Sequence, residues 1–253
     1  MNFFSYQTAA ARYARCRPYF HPVVVDRIKA YLKIESPVTQ ALDVGCGTGQ
    51  STMALKSISR SVVGVDLSAA MLAETQTEPG VSYLEAPAEK IPCPAASVDL
   101  ITSGLAFHWF DQDQFLREAH RLLRPGGWLI IYNNGFSGKM KVNAEFEQWG
   151  TGRYLARYPS PSRNAQPLTV EKAAEFGLNF VHKERYENEI EFSAEELAAY
   201  LTTQSNIIAV VEQGSESIES IYQWLVDETR VFFPSTRAMF LFGGYVWYLQ
   251  KPL

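Results

Sequence analysis

Ala41-Leu42-Asp43-Val44-Gly45-Cys46-Gly47-Thr48-Gly49-Gln50 is the stretch on which the fold of this chain turns. Leu42 and Val44 are strand formers, and Thr52, Met53, Ala54 and Leu55 beyond the turn continue as a helix. Three glycines in five residues at a strand-to-helix junction let the backbone take positive φ and let a ligand come close. The helix start offers free N–H groups and a partial positive charge. In α/β proteins such a junction binds a nucleotide-like cofactor. The dinucleotide fingerprint is G-x-G-x-x-G. Here glycines at 45, 47 and 49 make G-x-G-x-G, with Asp43 two residues ahead of the first. A glycine turn that merely packs helix on strand is the alternative.

The segments on the C-terminal side repeat one theme. Val62-Val63-Gly64-Val65-Asp66 is a second strand ending in an acid, 17 residues beyond Gly49. That is close to where this fold places the carboxylate that binds a ribose, whose two oxygens can accept from both hydroxyls. Ser68 is a good N-cap for a short helix through Met71 and Leu72. Val81–Leu84 and Ser97–Ser103 read as strands three and four. The fourth leads into Gly104-Leu105-Ala106-Phe107-His108-Trp109-Phe110-Asp111, where His108 titrates near neutrality. It is either a base beside the reacting group or a donor of a structural hydrogen bond. A helix over 111–123 follows, with Phe115, Leu116, Ala119, Leu122 and Leu123 inward, then Arg124-Pro125-Gly126-Gly127 and a fifth strand, Trp128–Tyr132. Strands alternating with helices predict a doubly wound, mostly parallel sheet.

The glycine motif, the acid after the second strand and the helix-Arg-Pro-Gly-Gly-strand passage together resemble the class I (Rossmann-like) S-adenosyl-L-methionine (SAM)-dependent methyltransferases of the type 11 group. The resemblance covers roughly residues 40 to 134. It implies SAM as cofactor and S-adenosyl-L-homocysteine as product. It further implies that Leu67 packs on the adenine and that the loop Glu85–Pro92 reads the purine edge. There the family uses a backbone N–H and often an Asp side chain. Pro87 stands at the Asp position in this chain, which leaves the Ala88 N–H and the Glu89 carboxylate. The expected cofactor-binding set is Tyr13, Arg17, Asp43, Gly45, Cys46, Gly47, Gly49, Asp66, Leu67, Met71, Ala88, Glu89 and Ser103. His108 is the expected catalytic residue, and no metal is expected.

In the resembled fold a sixth strand is parallel and a seventh inserts antiparallel between it and the fifth. Arg185–Phe192 and Met239–Leu249, the latter interrupted by Gly243-Gly244, are the candidates, which completes a seven-stranded sheet. Residues 1–134 are then N-terminal helices plus the SAM-binding core. Residues 135–253 supply an added helical cap and the last strands, with cap segments at 135–180 and 200–232. Tyr13-Ala14-Arg15-Cys16-Arg17-Pro18 and Phe107-His108-Trp109-Phe110 look like the branch that includes trans-aconitate methyltransferase, which points to a small acidic acceptor and carboxyl O-methylation. No Asn-Pro-Pro-Tyr or Asp-Pro-Pro-Tyr is present, which argues against methylation of a nucleic-acid base amine.

Two stretches hold open alternatives. Tyr13, Arg15, Arg17, Tyr19 and His21, between an N-terminal helix over 3–15 and a second from Pro22 to Leu32, form either a solvated surface or a lid. In a lid the arginine would pair with a carboxylate of cofactor or substrate. Lys139, Lys141, Arg153, Arg157 and Arg163 around a helix over 144–155 are either solvated or face an acidic substrate.

Composition sets outer bounds. The net charge of −4 argues against a nucleic-acid footprint. Cys16, Cys46 and Cys93 are odd in number and widely spaced, which suggests neither a disulfide framework nor a metal site and fits a reducing cytoplasm. Cys46 reads as a small turn residue or as a nucleophile. The N-terminus lacks the apolar core of a signal peptide, and the uncharged run Ala238–Leu249 is shorter than the roughly 20 residues a bilayer needs, so no membrane association is expected. The expected activity is methyl transfer to a small-molecule carboxylate or hydroxyl. A non-catalytic SAM-binding protein and a nicotinamide-dependent oxidoreductase are the alternatives. The oligomeric state is not legible.

Overall fold

The structure is a computed structural model that describes residues 7–161 and 168–253. Phe3, Phe4 and Tyr6 of the expected first helix, and Arg163 of the basic stretch, lie outside the described residues. The chain begins with α1 (Gln7–Cys16), α2 (His21–Leu32), β1 (Val38–Val44), α3 (Gln50–Leu55), β2 (Ser59–Asp66), α4 (Ala69–Leu72), β3 (Val81–Glu85) and β4 (Val98–Gly104). A 3-10 turn (Phe107–Trp109), α5 (Gln112–Leu122), β5 (Leu123–Tyr132) and β6 (Gly135–Met140) follow. Then α6 (Glu145–Trp149) runs through a π turn (Gly150–Tyr154) into α7 (Leu155–Arg157). The remainder is α8 (Val170–Glu175), β7 (Asn179–Phe192), α9 (Ala194–Leu201), α10 (Ser205–Glu212), α11 (Ile218–Arg230) and β8 (Ala238–Gln250).

These elements form two compact units. A sheet unit comprises 19–133, 168–185 and 244–253, and a helical unit comprises 7–18, 134–161 and 186–243. The division into units differs from a single boundary at residue 134 in α1 and α8. The former belongs with the helical unit and the latter with the sheet.

The strand order is β3-β2-β1-β4-β5-β8, with β7 also paired to β8. Neighbours from β3 to β5 are parallel, and β8 runs antiparallel to β5 with Trp128 opposite Gln250 and Tyr132 opposite Val246. The order reverses between β1 and β4. At such a switch point the outgoing loops diverge and leave a crevice at the strands' carboxyl ends. The seven expected strands are β1–β5, β7 and β8. The eighth, β6, is a correction. Gly135-Phe136-Ser137-Gly138 has too little apolar alternation to announce a strand, and it becomes one because β8 supplies its ladder from Gly243 to Phe240.

Two further differences have physical causes. β8 is continuous through Gly243-Gly244, where an interruption is expected. A Cβ on Gly244 would lie 2.0 Å from the Asn133 carbonyl oxygen, and one on Gly243 would lie 2.8 Å from that of Tyr186. The glycines admit close backbone approach within an intact strand. β5 begins at Leu123 rather than Trp128, because Leu123 already pairs with Val98 before a register shift at the Arg-Pro-Gly-Gly segment.

The sheet unit packs Leu42, Val44, Ile101 and Ile131 against Phe115, Leu116, Ala119 and Leu122 of α5. The helical unit has a core rich in aromatic side chains, including Phe146, Tyr158, Tyr200 and Phe240, each essentially buried. Burying such a side chain contributes about 1.5–3 kcal/mol.

Candidate functional site

The glycine turn is built from the inside. Gly45, Gly47 and Gly49 all have positive φ, at 73°, 55° and 83°. The Gly45 and Cys46 N–H groups both donate to the Val65 carbonyl, and Gly49 N–H donates to Cys46 O, which folds the chain tightly over the end of β2. A Cβ at Gly45 would sit 2.3 Å from that of Ala106, and one at Gly49 would sit 2.5 Å from the Tyr83 hydroxyl. Both positions are thus closed to side chains by the protein's own packing. A Cβ at Gly47 would meet only the end of Met71, at 3.0 Å, so its requirement is conformational.

Two carboxylates serve this turn differently. Asp43 is fully buried, and its oxygens accept from Ser51 Oγ at 2.5 Å, Thr52 Oγ1 at 2.8 Å and Thr102 Oγ1 at 2.9 Å. It ties the first turn of α3 and the middle of β4 to β1. With both oxygens engaged inside the protein, Asp43 shapes the cradle and does not line it. Burial pushes its carboxyl up, against the three hydroxyls. Asp66, at the end of β2, accepts from Gly47 N–H at 2.8 Å through Oδ2 and from Ser68 N–H at 2.9 Å through Oδ1. Each oxygen keeps a further lone pair. Burial raises the Asp66 carboxyl too, opposed by these N–H groups. Leu67 beside it is 59% exposed, and Ser68 caps α4 by accepting from Met71 N–H.

The two neighbouring loops meet this turn. After β3, Ala86 N–H donates to Asp66 O, Ala88 is buried and Pro87 is exposed. Glu89 Oε1 accepts from Asp111 N–H at 2.9 Å. Farther along, Glu118 of α5 accepts from Ile91 N–H at 2.7 Å, and Arg121 donates to the carbonyls of Cys93 and Ile91. A groove of about 480 Å³ runs between this loop and the Glu118–Arg121 pair. After β4, Ser103 is buried with an Oγ that has no hydrogen-bond partner, and Leu105 turns the chain with φ of 60°. His108 lies half-buried in the 3-10 turn, its ring 4.7 Å from that of Trp109. Ala106 and Phe110 on either side rest on Gly45.

Cys46 is buried and burial pushes its thiol up, with the charges of Asp43 and Asp66 acting in the same direction. A buried thiol whose ionisation is disfavoured is a poor nucleophile, which fits a small turn residue.

Tyr13 and Arg17 belong to the helical unit. Arg17 donates from Nη2 to Thr203 O at 3.0 Å and lies over the rings of Tyr13 and Tyr200 at 4.6 and 5.2 Å. It serves that unit as a cation at the end of α9. The basic stretch is answered within the same unit. Lys139, Lys141, Arg153 and Arg157 pair with Glu147, Glu189, Glu228 and Glu216.

Two arrangements were not read from the sequence, and the first places His21, expected in a solvated surface or a lid, in the core. His21 Nδ1 and the Tyr132 hydroxyl are 2.9 Å apart, both buried, and burial pushes the imidazole down to about 3. The Tyr132 ring covers Gly104 at the end of β4. Tyr83 packs on Gly49 and Gly64 with a buried hydroxyl that has no hydrogen-bond partner, and burial pushes it up to about 12. Neither arrangement has a spacing signature, because the packing of α2 and the order of the strands bring together residues far apart in sequence.

Comparison with known proteins places this geometry. A family model described as "Methyltransferase domain" matches residues 42–131. A Dictyostelium discoideum protein assigned as a methyltransferase is 41% identical over 95 residues, 38% of this chain and 36% of the relative. Malonyl-[acyl-carrier protein] O-methyltransferase of Enterobacter lignolyticus is 35% identical over 132 residues, 49% of this chain and 53% of the relative. The aligned part thus spans about a third to a half of these relatives. Among solved structures, one assigned as a type II methyltransferase of Anaeromyxobacter dehalogenans has a TM-score of 0.72 at 22% identity, over 93% of this chain and 98% of that one. Haemonchus contortus phosphoethanolamine N-methyltransferase 2, solved with SAM, has a TM-score of 0.56 at 18% identity, over 100% of this chain and 60% of that one. Residues 42–131, which hold the glycine turn, Asp66 and the His108 turn, therefore belong to the type 11 group of class I methyltransferase domains.

Proposed function

We propose that this protein is a SAM-dependent methyltransferase that methylates an oxygen, carboxylate or hydroxyl, of a small-molecule acceptor. The observation that carries this reading is the Gly47–Asp66 hydrogen bond at the switch point of the sheet. It holds a carboxylate with spare lone pairs beside an exposed Leu67, and so offers ribose and adenine partners side by side. The residues present fit the cofactor: Gly45, Gly47 and Gly49 keep side chains out of the turn, Asp66 accepts from ribose hydroxyls, and Leu67, Met71, Ala88 and Glu89 flank the adenine. Ser103 Oγ, buried without a partner, fits a polar group at the end of β4. Tyr13 and Arg17 stay in the assignment through the resemblance alone.

Bound SAM supplies an electrophilic methyl group. The chain's part is to bind, align and exclude water, and alignment is worth about 7–11 kcal/mol in favourable cases. A carboxylic acid with pKa about 4 is already ionised at neutral pH, whereas a phenol with pKa about 10 gains from a base, by about 10²–10⁴-fold. His108 then acts as base toward a hydroxyl and as a positioning donor toward a carboxylate. Oxygen is favoured as the acceptor atom because relatives aligned over the domain carry the name O-methyltransferase. No helix among the described residues is long and apolar enough to cross a membrane. We place the protein in the cytoplasm, where free cysteines persist, with neither nucleic acid nor membrane as partner.

Calorimetric titration with S-adenosylhomocysteine, with NADH as control, tests the cofactor. Micromolar binding of the first and none of the second is expected, followed by transfer of labelled methyl groups to small carboxylic acids or phenols. Binding of NADH alone refutes the proposal in favour of an oxidoreductase. Cofactor binding without transfer across a broad panel favours a non-catalytic protein.

A further inference from the structure

The segment that carries His108 is short, and among its contacts three tie it to neighbouring loops and strand ends. At its start, Leu105 N–H donates to Tyr132 O at 2.9 Å. In its middle, Ala106 and Phe110 rest on the glycine turn at Gly45. At its end, Asp111 N–H donates to Glu89 Oε1 at 2.9 Å. The first two contacts come from strand ends that the sheet fixes. The third comes from a side chain on a different loop, the one that follows β3.

That loop is itself anchored. Glu118 and Arg121 of α5 grip the backbone of Ile91 and Cys93, just beyond Glu89. The local charge is suited to the contact. Asp111 is the N-cap of α5, accepting from Gln114 N–H at 3.1 Å, and the Glu89 carboxylate reaches the N–H of that same cap residue. A carboxylate at a helix N-terminus makes a charge-assisted bond. The side chain thus spans two loops that leave the carboxyl ends of β3 and β4.

We propose that Glu89 is a positioning residue that locks the loop after β3 to the His108 turn. The loop that holds the adenine and the turn that faces the acceptor then move as one piece, and Glu89 acts on the reaction through Asp111. The proposal rests on the cofactor reading above.

The test uses the full chain and two substitutions, Glu89→Gln and Glu89→Ala. The glutamine carbonyl can still accept from Asp111 N–H, and alanine cannot. In the free protein, the Asp111 amide should exchange with solvent about tenfold faster in Glu89→Ala and within about twofold of wild type in Glu89→Gln. On titration with S-adenosylhomocysteine, the His108 ring resonances should shift in wild type and Glu89→Gln. In Glu89→Ala that shift should be lost. Unchanged Asp111 exchange in Glu89→Ala, or a His108 response that survives there, overturns the proposal. An affinity loss above about tenfold with normal Asp111 exchange leaves Glu89 its cofactor contact alone and overturns the lock. A wild-type protein that binds no S-adenosylhomocysteine refutes the cofactor reading, and Asp111 exchange then decides the lock alone.

Discussion

Acid should unfold the sheet unit through His21. Its imidazole is buried at the start of α2, against the Phe20 ring at 4.2 Å and 2.9 Å from the Tyr132 hydroxyl. Burial lowers its pKa from 6.5 to about 3. A base whose pKa falls on folding contributes stability that is fully present above the unfolded value and is lost as pH falls toward the folded one. Between pH 6.5 and 3 the unfolded chain binds a proton that the folded protein refuses. Stability then drops by about 1.4 kcal/mol per pH unit, or about 2 kcal/mol by pH 5 and about 3 by pH 4. Asp43 and Asp66, whose carboxyls burial raises, act in the opposite direction in the acid range, so a comparison with a variant is needed to isolate the histidine. His21→Asn keeps a group able to hydrogen-bond Tyr132 and does not titrate. Urea unfolding from pH 7 to 4.5 should show wild type losing about 2.5 kcal/mol more than His21→Asn over this range. The ring resonances of the chain's four histidines supply a direct check, since that of His21 should not titrate above pH 5. Equal pH slopes in the two proteins, or a His21 midpoint near 6.5, would falsify the assignment of a buried neutral imidazole.

Other substitutions probe the turn and its neighbours. Asp66→Ala removes an ionised acceptor and should weaken S-adenosylhomocysteine binding more than tenfold by calorimetry; an unchanged affinity removes the ribose assignment. Gly45→Ala places a methyl 2.3 Å from Ala106 Cβ at a φ of 73°, and should cost about 3 kcal/mol or more in denaturant unfolding. A variant as stable as wild type would show that the His108 turn does not rest on Gly45. His108→Ala should leave cofactor affinity within about threefold and lower turnover, by about 10²-fold or more for a hydroxyl acceptor and less for a carboxylate. Loss of cofactor binding or of the fold would assign His108 a structural role.

The readings that succeeded rest on local physics. Strand, glycine turn and helix in one short stretch have few backbone solutions, so residues 41–55 and the acid at Asp66 were legible from residue order alone. Ser68 as an N-cap was legible for the same reason, since the bond it makes spans three residues. β6 and the first half of β7 were not legible. Phe180, His182 and Glu184 offer only one apolar side chain on the half-buried face, and pairing with β8 supplies what periodicity lacks.

Sequence by itself determined the class of fold and the place of the glycine turn. Those features follow from φ preferences and from spacing within a few residues. Only the tertiary structure decided what each group does there. Asp43 spends both oxygens on three buried hydroxyls, while Asp66 keeps lone pairs available, although both are acids at strand ends. Arg17 is committed to Thr203 and two tyrosine rings within the helical unit. His21, at the start of α2, meets Tyr132 at the end of β5, and Glu89 meets Asp111 because the loops after the parallel strands β3 and β4 leave the same edge of the sheet. Hydrogen-bond partners and burial are properties of that arrangement, and the residue list contains neither.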